Sequence, residues 1–165
     1  MFPDHIRELA AKLLAEYGAA GQMAAAAESC TGGLIAAAIT DIPGSSEVFE
    51  RGFVTYTNLA KSEMLDVPPS LIAAHGAVSA EVAVAMAVGA LARSKADVSV
   101  AVTGVAGPGG GTPVKPVGRV YIATAVRDGR AEAREHTFAG DRQEVRLQTV
   151  EHALERLLAA RPTAA

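Results

Sequence analysis

The sequence predicts an α/β fold: a three-layer α/β/α sandwich around a mixed five-stranded sheet, with the fourth strand antiparallel to the rest. Three observations predict it. Helix-like and strand-like segments alternate through the first two-thirds of the chain, so the early strands should be parallel with helices on both faces. The last three strand-like runs follow one another without a helix, so they should be antiparallel neighbours. "RDGR" at 127–130 carries the Asp-Gly signal of a tight hairpin between the final two.

The elements follow in order. Ile6, Leu9, Leu13 and Leu14 recur at helical spacing and predict a helix over 3–17, stopped by Gly18. Residues 22–28 read as a short buried strand, and 32–40 as a helix ended by "DIPGS". Residues 51–57, "RGFVTYT", alternate as a strand does. Two short helices, 58–66 and 69–75, are separated by Pro68 and Pro69. Ser79 is a good N-cap with Glu81 in the first turn, opening an apolar helix to about residue 92. Its lack of charge points to burial on more than one side. A strand over 97–103, a glycine-rich loop and a strand over 118–126 come next, and the last strand runs to about Phe138. Asp141 and Glu144 form a capping-box pattern before a final helix to about residue 160, with Val145, Val150, Leu154, Leu157 and Leu158 apolar.

The 165 residues suit a single domain, 1–165, with one core. A formal net charge of -3 argues against bulk binding of nucleic acid, which needs a basic surface. Cys30 is the one cysteine, so no intrachain disulfide can form, which fits a reducing cytosol. The N-terminus lacks the pattern of a signal peptide, and no run reaches the roughly 18 uncharged apolar residues of a membrane span. A cytoplasmic protein is expected. The four histidines and the cysteine show no ligand spacing, so no metal and no cofactor are expected.

Ligands in such sheets collect at the carboxyl ends of the parallel strands. Glu28, Thr57 and Thr103 are placed there, which draws three remote segments together. The first is "AESCTGG", 27–33: Ser29 follows a strand and precedes a helix whose free amides can hold an oxyanion or a phosphate. On these residues alone, Ser29 or Thr31 as a helix cap is the simpler account. The second is "VTYTNLAK", 54–61: a buried lysine can serve as base to a serine, and a tyrosine can relay or orient a proton. A surface lysine and a rim tyrosine are the plain alternative. No histidine stands near a suitable aspartate, so Lys61 is the best partner for a reactive Ser29. The third is "VTGVAGPGGGTPVKPVG", 102–118, which is no Walker loop because the Gly-Lys-Ser/Thr ending is absent and a strand follows. Its amides can embrace a phosphate or a ribose, with Lys115 offering charge. Arg142 and Arg146, one turn apart, are further anion contacts or a solvated helix face. Cys30 is a rival nucleophile, ranked below Ser29 because adjacent side chains point apart and lone cysteines often fill cores.

These three segments, in this order, closely resemble the C-terminal domain of CinA, the competence/damage-inducible protein. "GAVSAEVA" (76–83) and "GDRQEVR" (140–146) fit as well, so the resemblance spans nearly the whole chain. It departs from the family mildly at Thr57, where serine is common. Stand-alone members of the family are nicotinamide-nucleotide amidases, which convert nicotinamide mononucleotide to nicotinate mononucleotide and ammonia. Longer members carry an extra N-terminal domain associated with ADP-ribose pyrophosphatase activity. That domain has no counterpart in these residues, so only the amidase function is expected to carry over.

The resemblance implies Ser29 as nucleophile with Tyr56 and Lys61 in the catalytic group. Lys61, neutral, would take the Ser29 proton directly or through Tyr56. Amides at the start of the 32–40 helix would hold the oxyanion, placing Thr31, Gly32 and Gly33 at the substrate. The glycine loop, through Thr103, Gly104, Gly107, Gly109, Gly110 and Lys115, and Arg142 beside it, would bind the ribose phosphate. The expected partner is a small-molecule pyridine nucleotide. A homodimer or higher homo-oligomer is expected from the apolar 80–92 helix and the sheet edges. The alternatives are a non-catalytic nucleotide-binding module and a thiol enzyme using Cys30.

Overall fold

The computed structural model describes residues 1–162. The elements run α1 (Asp4–Ala20), β1 (Ala24–Glu28), α2 (Leu34–Thr40), a 3-10 turn (Ser45–Glu47), β2 (Phe49–Val54), α3 (Asn58–Leu65), α4 (Pro69–His75), α5 (Ala80–Ala92), β3 (Val98–Gly104), β4 (Arg119–Val126), β5 (Ala131–Thr137) and α6 (Arg142–Ala160). They build one five-stranded sheet in the order β2-β1-β3-β4-β5. β1 pairs parallel with β2 and β3, and β4 pairs antiparallel with β3 and β5. The fourth strand alone runs against the others, as the pattern of the sequence predicts.

Side chains alternate across a strand, so each strand feeds two cores. Ala24, Ala26, Val98, Val100, Val102, Val120 and Ile122 face α1, α2 and α6. Ala25, Ala27, Ala101, Ala123 and Ala125 face α5, with α3 and α4 packed beyond it. Alanines on that face let α5 lie close to the sheet, and the buried Ser99 hydroxyl donates to Ala87 O across the gap at 2.6 Å. The apolar α5 run is thereby used within its own chain, with Val88 its one exposed large apolar side chain. It lends no separate support to an oligomer.

Among the boundaries that differ from expectation, three have a clear physical cause. α1 does not stop at Gly18 but continues to Ala20, where Gly21 takes the left-handed cap conformation (φ 63°). Tyr17 holds that extra turn down, its buried hydroxyl donating to Leu157 O at 2.7 Å. β2 ends at Val54 rather than Thr57, because Thr57 is the N-cap of α3 and accepts from Ala60 N at 3.0 Å. α2 begins at Leu34 rather than Gly32, and neither Ser29 nor Thr31 caps it.

Candidate active site

What caps α2 is Glu28, the last residue of β1. Its buried carboxyl accepts from Ile35 N at 2.8 Å, Ala36 N at 3.1 Å and the Thr31 hydroxyl at 2.7 Å. An acid ending an all-alanine strand has nowhere to find water, so it takes the unpaired donors of the nearest helix start. Two amides of the first turn of α2, those of Ile35 and Ala36, are thus already bound to Glu28.

Between Glu28 and α2 the chain makes a tight turn. Ser29 N donates to Val102 O at 3.1 Å and Gly32 N donates to Ser29 O at 3.0 Å. Cys30 N and Thr31 N donate to no backbone or side-chain acceptor among the described residues. Arg146, on α6, reaches across to the same turn, donating to Cys30 O at 3.2 Å and Thr31 O at 2.9 Å.

Lys61 sits one turn into α3. Thr57 sets that register by capping the helix, and Lys61 with Leu65 four residues on forms its buried face. The lysine is 1% exposed and Ser29 8% exposed. Nζ lies 3.0 Å from Ser29 Oγ and 3.0 Å from Thr55 O. Thr55 is itself tied to the parallel edge, its N–H donating to Glu28 O at 2.8 Å. Strand end, turn and helix thus hold amine and hydroxyl in direct contact. Burial lowers the Lys61 pKa, because an ammonium loses its hydration there. A neutral amine suits both neighbours: it donates to the Thr55 carbonyl and offers its lone pair to the Ser29 proton.

The pair opens onto a cavity of about 320 Å³ lined by Ser29, Tyr56, Asn58, Lys61, Thr103 and Arg142, and by Gly104, Gly107, Gly109 and Gly110 of the glycine loop. That volume is within the range of small-molecule sites, about 300–1,000 Å³. Tyr56 is 58% exposed and stands at the rim, its hydroxyl accepting from Arg142 Nη2 at 3.1 Å. Arg142 also donates to Gly107 O at 2.8 Å, so one guanidinium ties α6, the glycine loop and the β2–α3 connection together. Thr103 donates to Ala77 O at 2.8 Å, fixing β3 to the segment before α5. A neighbouring cavity of about 820 Å³, lined partly by Phe2, Leu34 and Leu147, shares Ala106 and Arg142 with the first.

Other expected site residues lie elsewhere. Thr31 is fully buried against Glu28, and neither it nor Gly32 nor Gly33 lines the cavity. Lys115 points to the end of α4, where Nζ donates to His75 O at 2.7 Å, and it is absent from the lining. Cys30 lines the cavity but is 6% exposed, and burial pushes its thiol pKa up to about 11. That is the opposite of an activated thiolate. Two residues that the sequence reading gave no role stand out. Asn58 is at the cavity wall because it opens α3. Glu28 is the cap, and its signal was present: an acid closing an apolar strand, three residues before a threonine.

No group of three or more histidine, cysteine, aspartate or glutamate residues among those described could hold a metal ion. Among the described residues, no helix is long and apolar enough to cross a membrane.

Fold and site together define the class: an α/β/α sandwich with a lysine-backed serine at the carboxyl edge of its parallel strands. The chain belongs to the CinA C-terminal domain family, whose model matches residues 6–160. It is 49% identical over 158 residues to the nicotinamide-nucleotide amidohydrolase PncC of Enterobacter agglomerans, covering 96% of each chain. It is 60% identical over 123 residues to a CinA-like protein of Geotalea uraniireducens. That match covers 74% of this chain but only 29% of the longer protein. The crystal structure of the competence/damage inducible protein CihA from Agrobacterium tumefaciens superposes with a TM-score of 0.95 at 52% identity, covering 96% of this chain and 97% of that one.

Proposed function

We propose that residues 1–165 form a single nicotinamide-nucleotide amidase domain in which Ser29 attacks the carboxamide of nicotinamide mononucleotide and Lys61 takes its proton. The observation that carries this reading is the direct 3.0 Å contact between a buried lysine amine and a serine hydroxyl at the floor of a small-molecule cavity. The PncC relative, matched along almost its full length, supplies the substrate class.

In this reading neutral Lys61 accepts the Ser29 proton as Oγ bonds to the amide carbon. The carbonyl oxygen gains the negative charge and is met by the N–H of Cys30, which lines the cavity and has no acceptor among the described residues. The intermediate collapses, the C–N bond breaks, and the Lys61 ammonium returns its proton to the leaving nitrogen, which departs as ammonia. Water, deprotonated by the again neutral Lys61, then hydrolyses the ester to nicotinate mononucleotide and frees Ser29. The proton passes directly between Ser29 and Lys61. Tyr56 acts with Arg142 at the rim, beside Asn58 and the glycine loop, where the ribose phosphate is held. Lys115 is left out of the contact set. The enzyme acts in the cytoplasm on a small pyridine nucleotide and uses no metal or cofactor.

The test is ammonia release by the purified protein from nicotinamide mononucleotide, nicotinamide riboside and nicotinamide in parallel. Turnover is expected with the mononucleotide above the other two. Tight binding of the mononucleotide with no release of ammonia would mark a non-catalytic nucleotide-binding module instead.

A further inference from the structure

The turn that carries Ser29 is short, and α2 is too strongly engaged with Glu28 to hold an oxyanion. Something else must fix the direction of the turn's open amides. The residue that reaches the turn's main-chain carbonyls from another element is Arg146, on α6. We propose that Arg146 is a positioning residue: it orients the 29–32 turn and, through it, aims the amide of cavity-lining Cys30 as an oxyanion donor. This inference rests on the amidase reading for its functional meaning.

The argument follows the peptide planes. In a trans peptide the carbonyl and the N–H point in opposite directions. Arg146 Nε holds the Cys30 carbonyl, which shares a peptide plane with Thr31 N–H. That N–H has no acceptor among the described residues. Arg146 Nη2 holds the Thr31 carbonyl, whose plane carries Gly32 N–H, and Gly32 N–H in turn donates to Ser29 O. One guanidinium therefore feeds two hydrogen-bonded relays. One ends on the Ser29 carbonyl, closes the turn, and shares its peptide plane with the unpaired N–H of cavity-lining Cys30. The other ends on the Thr31 N–H, which is buried away from the cavity. A cation on a peptide carbonyl polarises the plane, so its N–H becomes a stronger donor.

The base of Arg146 is itself fixed. It lies in the second turn of α6, behind an intact Asp141/Glu144 capping box and next to buried Val145. Both recorded partners of its guanidinium are main-chain carbonyls, and both come from the nucleophile turn. A lysine offers a compact point charge without the rigid planar fork that Nε and Nη2 present to the two carbonyls. This assigns the two arginines of α6 different tasks: Arg142 ties the cavity rim, and Arg146 orients the turn beneath it.

The experiment uses the full chain with Arg146→Ala and Arg146→Lys, reading kcat and KM for nicotinamide mononucleotide and the Thr31 and Gly32 amide resonances by NMR. Loss of one oxyanion donor costs on the order of 100-fold in kcat. The expected result is a kcat fall of that order in both variants, with KM changed less than about threefold. Methylguanidine is expected to restore part of the Arg146→Ala rate, and the two amide resonances are expected to shift in both variants. A selective rise in KM with kcat unchanged would overturn the proposal and make Arg146 a phosphate ligand. Unmoved Thr31 and Gly32 amides would overturn it even if the wild-type chain hydrolyses nothing. Absence of wild-type turnover with those amides shifted would count against the amidase reading alone.

Discussion

Lys61 Nζ stands 3.0 Å from Ser29 Oγ, with the lysine 1% exposed and the Thr55 carbonyl its other hydrogen-bond partner among the described residues. Thirty-two positions separate the two residues in the chain. The contact exists because β1 and β2 are parallel neighbours and end side by side.

Activity should rise with pH. The reactive form of Lys61 is the neutral amine, and burial lowers its pKa from the ordinary 10.5. The acid limb of the kcat/KM profile should therefore report a group titrating below the usual lysine range. Lys61→Arg, which stays protonated, should be inactive throughout. A profile flat through the range below 10.5 would remove lysine as the base.

Stability should carry the same signature. Between the lowered folded pKa and 10.5, the unfolded chain holds a proton that folded Lys61 lacks. Stability from this group therefore rises with pH across that window, by at most about 1.4 kcal/mol per pH unit. Urea unfolding of wild type and Lys61→Met over a pH series should show the difference between them changing in favour of wild type as pH rises. Parallel curves would mean that the lysine titrates normally.

Tyr56→Phe separates the two proton routes. The tyrosine hydroxyl meets Arg142 at the rim, and no hydrogen bond joins it to Lys61 or Ser29. Steady-state kinetics should show KM raised by up to about tenfold, the worth of one modest hydrogen bond, with kcat nearly kept. A collapse of kcat would place the tyrosine in the proton path.

Glu28→Ala should be among the most damaging changes to the fold. It strands the Ile35 and Ala36 amides and the Thr31 hydroxyl, all beneath the nucleophile turn. Chemical denaturation should show a loss of about 2–4 kcal/mol, and Glu28→Gln, which keeps one acceptor oxygen, should lose less. Equal stability of wild type and Glu28→Ala would contradict the cap.

The sheet was readable from the sequence because its signals are local and repeated: alternation of helix and strand patterns, then three strands without helices. Ser29 and Lys61 were readable as a pair only by placing both at strand ends and by their resemblance to a family. Side-chain partners were harder. Arg142 and Arg146 look alike as two cations one turn apart, and the fold alone decides that one meets Tyr56 and the other the Cys30 and Thr31 carbonyls. Lys115 is a similar case: a cation in a glycine loop suggests an anion, whereas the fold lays it against the His75 carbonyl. The capping role of Glu28 is hard to read because its partners, the Ile35 and Ala36 amides, lie seven and eight residues on, beyond the usual spacing of a helix cap.

The most direct measurement of the central claim is ammonia release from nicotinamide mononucleotide by wild type, Ser29→Ala and Lys61→Met, with Cys30→Ala as a control. Removing either member of the pair should lower kcat by at least about a thousandfold while the fold, checked by circular dichroism, is kept. Cys30→Ala should stay within about threefold of wild type, since burial holds that thiol protonated. Wild-type rates from Ser29→Ala, or loss of activity confined to Cys30→Ala, would contradict the account.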